Sequence, residues 1–264
     1  MTPIDRPVVL VVGGSDPIGA AGIQADLRHL AACGVHGAAV PTALTVQKID
    51  AVTEIAPVDL GLFRRMLEAV FASARVDVVL VGMLASEAHL RTLLVILHNF
   101  TGKIVVDPVF RATAGAPLLD ASGRDLVREA LIIRAHVVLP NAYELCALAG
   151  VPERFDEASR AAAAAELVEQ GAELVLAKGG HADGDPVVDL LATPAGIERL
   201  SSPRVAGFFR GAGGALAAAT AAETALGRDV VAAVKNARER TSRALARAAA
   251  AKTPILHFTE AKAP

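Results

Sequence analysis

"PVVLVVGGSDPIGAAGIQAD", residues 7–26, changes character twice in a short span. Residues 7–13 are almost continuously apolar, as expected of a strand covered on both faces. Gly13, Gly14, Gly19 and Gly22 then let the chain turn tightly and approach a ligand. A helical stretch follows, roughly over 20–33. Strand, glycine-rich turn and helix make the first half of a βαβ unit. G-x-G-x-x-G is absent, so the turn is not a dinucleotide fingerprint.

The same alternation continues outward. Apolar runs recur at 76–82, 103–108, 135–140 and 173–180. Helical stretches are expected near 60–74, 86–99, 121–131, 142–149 and 157–171. This order predicts right-handed βαβ units around a mainly parallel sheet. Residues 186–205 read as one or two antiparallel hairpins. Ala-rich helices follow near 213–226 and 229–250. The last third changes character, but no internal repeat, low-complexity linker or strong domain boundary divides the chain, so 1–264 reads as one domain.

Composition narrows the function classes. The chain has 264 residues, enough for a substantial α/β core. Apolar residues make up 53% and aromatics only 3%, so the core is aliphatic and rich in closely packed alanine. A net charge of −2 gives no global basic field for nucleic acid. Cys33 and Cys146 have no metal-type spacing and fit a reducing cytosol. The start lacks a signal peptide's pattern, and no run of about 18 apolar residues suggests a membrane span. A cytoplasmic protein without nucleic-acid or membrane partners is expected.

In open α/β sheets ligands collect at the carboxyl ends of strands. Polar residues gather there. Asp26 lies one turn past Gly22, where it could bond a polar substrate or simply be solvated. Gln47 ends a strand-like segment, "ALTVQ" (43–47), and its amide suits both edges of a heterocycle. By itself it reads equally as a surface residue. Asp107, Asn141 and Glu144 supply oxygens suited to Mg²⁺ held through water and phosphates. Asn141 and Glu144 also have the spacing of a capping box. Lys178 closes an apolar strand beside two glycines and suits triphosphate neutralisation, or it extends into solvent.

"RGAGGALAAATAAET", 210–224, resembles a glycine-rich turn entering a helix. Gly211, Ala212, Gly213 and Gly214 can cradle an anion there, with Arg210 adding charge. Close helix packing is the competing reason for such small residues. From Arg199 to Ala222 the sequence has no Asp, Glu, His or Cys to accept a proton.

Taken together, "GGSDPIGAAGIQAD", "ALTVQ", "VGML" (81–84), "VVDPV" (105–109), "GAPLL" (115–119), "LPNAYEL" (139–145), "KGGH" (178–181), "VVDLL" (187–191) and "PILHF" (254–258) resemble the bacterial hydroxymethylpyrimidine/phosphomethylpyrimidine kinases of thiamine biosynthesis. The resemblance runs in order along nearly the whole chain. It implies a ribokinase-like fold, three-layer α/β/α around a mainly parallel sheet. It implies transfer of the ATP γ-phosphate to a hydroxymethylpyrimidine and then to its monophosphate. Gly14, Asp26, Gln47 and Met83 match pyrimidine-binding positions. Asp107, Asn141, Glu144 and Lys178 match the magnesium–nucleotide side, Asp107 and Glu144 as metal ligands. A homodimer is implied, and related enzymes act on pyridoxal-type alcohols.

Two departures stand out. The family's T-K-N-T-H-G-T-G-C aligns without a gap on "AGFFRGAGG" (206–214). Gly214 therefore replaces the Cys that is the family's candidate base, and Phe208, Phe209 and Arg210 replace polar residues and a His. In "ATAG" (112–115), Thr113 replaces a lysine. A general base contributes about 10²–10⁴-fold, so slow turnover is expected. Cys33 and Cys146 lie elsewhere, and the sequence offers no evident substitute. A kinase of low activity, a non-catalytic pyrimidine-binding homologue and a pyridoxal-type kinase all remain open. If only the base is missing, Gly214→Cys raises the rate.

Overall fold

The computed structural model describes residues 4–111, 118–180 and 184–259. Thr113 and His181 lie outside them. The described elements, in chain order, are β1 (Val8–Ser15), α1 (Gly22–Ala32), β2 (His36–Gln47), β3 (Val52–Pro57), α2 (Leu60–Ser73), β4 (Val78–Val81), α3 (Glu87–Ile96), β5 (Lys103–Val106), α4 (Ala121–Leu126), β6 (Val137–Val138), α5 (Ala142–Ala149), α6 (Glu157–Glu169), β7 (Val175–Ala177), β8 (Val187–Thr193), β9 (Gly196–Ser202), α7 (Ala212–Ala225) and α8 (Val230–Ala250).

The strands form one sheet in the order β3-β2-β1-β4-β5-β6-β7-β8-β9. The pairings from β2 through β1, β4, β5 and β6 to β7 are parallel. Antiparallel pairs close both ends, β2 with β3 and β7 with β8 and then β9. The hairpin expected over 186–205 is β8–β9. The β2–β3 hairpin was not legible in the sequence, because β3 is largely exposed and lacks an apolar run.

Alternation along β1 separates two cores, as strand geometry requires. Val8, Leu10 and Val12 join α2, α3, α5 and α6 on one face. Val9 and Val11 join α1, α7 and α8 on the other. The result is the three-layer α/β/α arrangement of the ribokinase-like fold. α7 packs on α1, α8 and strands β1, β4 and β5. Residues 215–224 of α7 are all buried, which the alanines permit by allowing close approach on every side. Larger residues there would overpack the site at about 1–3 kcal/mol each.

The expected helix over 121–131 is α-helical only to Leu126. Residues 127–131 widen and 132–134 tighten before β6. The helix expected over 86–99 likewise ends its α-helical part at Ile96 and closes in a tight turn.

Candidate active site

Every residue singled out at a strand end lies at the carboxyl edge of the parallel strands. Gly14 and Ser15 end β1, Gln47 ends β2, Asp107 follows β5 and Lys178 follows β7.

The loop after β1 is built from its own side chains. The Asp16 carboxylate accepts the N–H groups of Ile18 and Ala21, each at 2.9 Å. Gln24 accepts from Asp16 N at 2.9 Å and donates to Ser15 Oγ at 2.7 Å. Gly22 has φ +60°, and a Cβ there would run into the Gly14 carbonyl. Asp16 and Gln24 were missed in the sequence; the Asp two positions before a bend was the available signal.

Gly14 and Met83 face each other. A Cβ on Gly14 would stand 2.7 Å from Met83 Sδ. The Thr42 hydroxyl donates to Met83 O at 2.8 Å and fixes that segment. Thr45 donates to Ser15 O at 2.9 Å and lies 3.4 Å from Gln47 Oε1. The structure thus gathers Gly14, Met83 and Gln47 around the β1 turn.

The charged half lies farther along the sheet edge. Lys178 Nζ is 2.7 Å from Asp107 Oδ1 and 4.0 Å from Glu144 Oε2. All three side chains are largely buried. Lys178 is therefore no solvent-extended surface lysine. Asn141 and Glu144 do form the capping box of α5, with Glu144 N donating to Asn141 Oδ1 at 2.9 Å and Asn141 N to Glu144 Oε2 at 2.7 Å. Burial raises the Glu144 pKa, Lys178 opposes that, and the Asp107 charge adds to it. Burial alone would lower Lys178, but Asp107 and Glu144 more than offset it, so its pKa is raised.

Asp189 braces this segment. It accepts from Gly179 N at 2.7 Å and from Arg238 Nε at 2.8 Å. Within "VVDLL" its bracing role was not foreseen, because the partners come from the segment after β7 and from α8.

The start of α7 closes the site. Among the described residues, six of the eight α-helices have a side-chain N-cap; α1 and α7 have none, beginning at Ala21 and Gly211. These two N-termini touch, since a Cβ on Gly211 would run into the Ala20 carbonyl and stand 3.3 Å from Ala21 Cα. First-turn N–H groups have no intrahelical acceptor, so the uncapped first turn of α7 offers donors to an anion. Gly213 brings that turn to Lys178, with its Cβ position 3.3 Å from Nζ. Gly214 brings it to Asp26, with its Cβ position 3.4 Å from Oδ1. Burial, then the Asp107 charge, raises the Asp26 carboxyl well above its usual range, and Arg28 opposes this.

The substitutions before α7 separate in space. Phe208 is exposed, Phe209 leans on the core beneath α7, and Arg210 is buried with its N–H donated to Pro254 O at 2.7 Å. Glu223, the first acid in α7, faces away from catalysis in its bonding: it pairs with Arg228 at 2.6 Å and Arg240 at 3.5 Å. Among the described residues no three His, Cys, Asp or Glu side chains cluster as a metal site. Asp107 and Glu144 are two hard oxygen donors converging on one cation, which fits Mg²⁺ shared with water and phosphates rather than an all-protein cage.

Known proteins are similar to this chain in sequence and fold. The family model described as phosphomethylpyrimidine kinase matches residues 16–257. A hydroxymethylpyrimidine/phosphomethylpyrimidine kinase of Rhizobium meliloti (strain 1021) is 36% identical over 232 residues, 88% of this chain and 87% of the relative. The crystal structure of the phosphomethylpyrimidine kinase of Clostridium difficile 630 superposes with a TM-score of 0.80 at 28% identity, covering 91% of this chain and 100% of that one. The pyridoxal kinase of Staphylococcus aureus, in complex with AMP-PCP and pyridoxal, superposes with a TM-score of 0.84 at 27% identity, covering 92% and 88%. The matched span takes in the loop after β1 from Asp16 onward, the Lys178 cluster and the start of α7, and the chain belongs to the phosphomethylpyrimidine kinase family.

Proposed function

We propose that the protein phosphorylates hydroxymethylpyrimidine and its monophosphate from ATP, in thiamine biosynthesis, as one cytoplasmic kinase domain. The observation that carries this reading is the meeting of the α7 start with Lys178 and Asp107, beside the Gly14–Met83 turn. In this reading Gly14, Asp26, Gln47 and Met83 hold the pyrimidine. The Ala212, Gly213 and Gly214 N–H groups and the Lys178 ammonium hold the γ-phosphate. Asn141 supports Glu144 through the capping box.

Asp107 and Glu144 would hold Mg²⁺ largely through water. When bound, the ion neutralises charge on the β- and γ-phosphates. The substrate hydroxyl oxygen forms a bond to the γ-phosphorus, the bond from that phosphorus to the β-bridging oxygen breaks, and ADP leaves. The hydroxyl proton passes to an acceptor in the site. Positioning and charge stabilisation carry most of such a transfer, so the donors at α7 retain value without the family's thiol.

A pyridoxal-type alcohol is the second reading, favoured by the likeness to the Staphylococcus aureus enzyme. A homodimer is also proposed. Leu44 and Val46 stand exposed on one face of β2 and offer an apolar surface for a second copy. Sedimentation would measure that state.

The deciding experiment offers hydroxymethylpyrimidine, its monophosphate and pyridoxal with Mg²⁺–ATP, with products read by mass spectrometry and binding measured alongside. Phosphorylated pyrimidine above a Lys178→Ala control is expected. Binding without product would establish a recognition protein and remove the kinase reading. Product from pyridoxal alone would move the substrate to the second class.

A further inference from the structure

The family thiol is absent at position 214, yet the space beside it is not empty of acceptors. Asp26 enters from α1, and its Oδ1 lies 3.4 Å from where a Cβ of residue 214 would stand. A side chain at 214 would touch that carboxylate. Gly214 leaves the approach open, and the oxygen lies against the first turn of α7. The same turn reaches Lys178 one residue earlier, at Gly213. The anion cradle and a carboxylate oxygen are thus adjacent, as a hydroxyl attacking a cradled phosphorus requires.

Resting on the kinase reading above, we infer that Asp26 is the catalytic proton acceptor in this protein, in place of the missing thiol. Asp26 Oδ1 takes the proton of the substrate hydroxyl as the oxygen–phosphorus bond forms. The electron pair of the breaking phosphorus–oxygen bond leaves with ADP, and Asp26 ends the step as the neutral acid. Its second oxygen remains available to bond the substrate ring. Other described residues are less suited. Asp107 is 2.7 Å from Lys178, Glu144 is held in the α5 capping box, and Glu223 is bound by Arg228 and Arg240. The raised proton affinity of the Asp26 carboxylate works in the same direction.

The test is a mutant cycle of Asp26→Asn and Gly214→Cys, with Gly214→Ala as a steric control. Steady-state kcat and KM for the pyrimidine alcohol are measured in each variant. Circular dichroism and ATP-analogue binding check that each is folded. Asp26→Asn is expected to lower kcat about 10²–10⁴-fold with a smaller change in KM. In the Gly214→Cys background the same substitution should cost at least about tenfold less, because the thiol takes the proton. Gly214→Ala should give no such rescue. An equal loss in both backgrounds, or a rise in KM with kcat unchanged, would make Asp26 a binding residue and overturn the assignment. No product from the folded wild-type chain would instead overturn the kinase reading and this assignment with it. Product from wild type with an unaffected Asp26→Asn kcat would overturn the assignment alone.

Discussion

Lys178 Nζ and Asp107 Oδ1 stand 2.7 Å apart and join the carboxyl ends of β7 and β5, two strands separated in the sheet by β6. Glu144 at 4.0 Å makes the lysine a shared counterion for two buried carboxylates. Removing the lysine takes away the proposed phosphate ligand and leaves like charges facing each other.

Lys178→Ala is therefore expected to lower kcat/KM at least about 10²-fold, the usual effect of losing one transition-state donor. It should also cost up to about 3–5 kcal/mol of stability, as when one partner of a buried pair is removed. Without the opposing lysine charge, the buried Glu144 carboxyl holds its proton more tightly when folded than when unfolded. Its contribution is full below the unfolded carboxylate range and is lost as pH rises, so the deficit should grow with pH. Urea titrations at several pH values, beside steady-state kinetics, would measure both. A pH-independent deficit would contradict the shared-counterion account.

Gly211 and Gly213 are glycines for different reasons. Gly211 has φ +72° and abuts the Ala20 carbonyl. Gly211→Ala should cost at least about 1–2 kcal/mol from the left-handed backbone alone and should displace the α7 start, lowering activity as well. Gly213 is helical, and a Cβ there meets only Lys178 Nζ at 3.3 Å. Gly213→Ala should keep or raise stability, by up to about 1 kcal/mol of helix propensity, while lowering kcat as Lys178 is pushed aside. Thermal melts and kinetics on the two variants would separate the roles. Full activity in Gly213→Ala would show that the lysine does not work at this turn.

His29 is buried in α1 against the Phe258 ring, centroids 4.3 Å apart. Burial, with the Arg28 and His257 charges adding, lowers its pKa to about 4, and Arg240 lies over the far ring, 5.9 Å from its centroid. The folded value is below the unfolded value of about 6.5. Above that pH the residue is neutral in both states. As pH falls toward 4 the unfolded chain takes the proton first, and stability falls by about 3 kcal/mol. His29→Leu should remove this part of the acid loss. Urea midpoints of the two proteins at pH 7 and pH 4.5 test it; parallel losses would exclude His29 as the source.

The apolar runs of β1, β4 and β5 were legible because each is buried on both faces, so hydrophobic pattern and position agree. β3 was not, because its exposed residues carry no such pattern. Among site residues, Lys178 and Asp107 stood out by type and place at strand ends. Asp16, Gln24 and Asp189 did not: Asp16 and Gln24 hold one turn through bonds spanning two to nine positions, and Asp189 reaches ten positions to Gly179 and forty-nine to Arg238.

The sequence by itself determined the α/β layering, the glycine-rich turns and a glycine at 214 with no proton acceptor near it in the chain, because these follow from local pattern and residue type. Only the tertiary structure decided that the gap at Gly214 opens onto Asp26. α1 and α7 are far apart along the chain, and they meet because both pack on the same face of the sheet with uncapped N-termini in contact. Proximity of that kind is set by helix packing on the sheet, and no run of neighbouring residues encodes it.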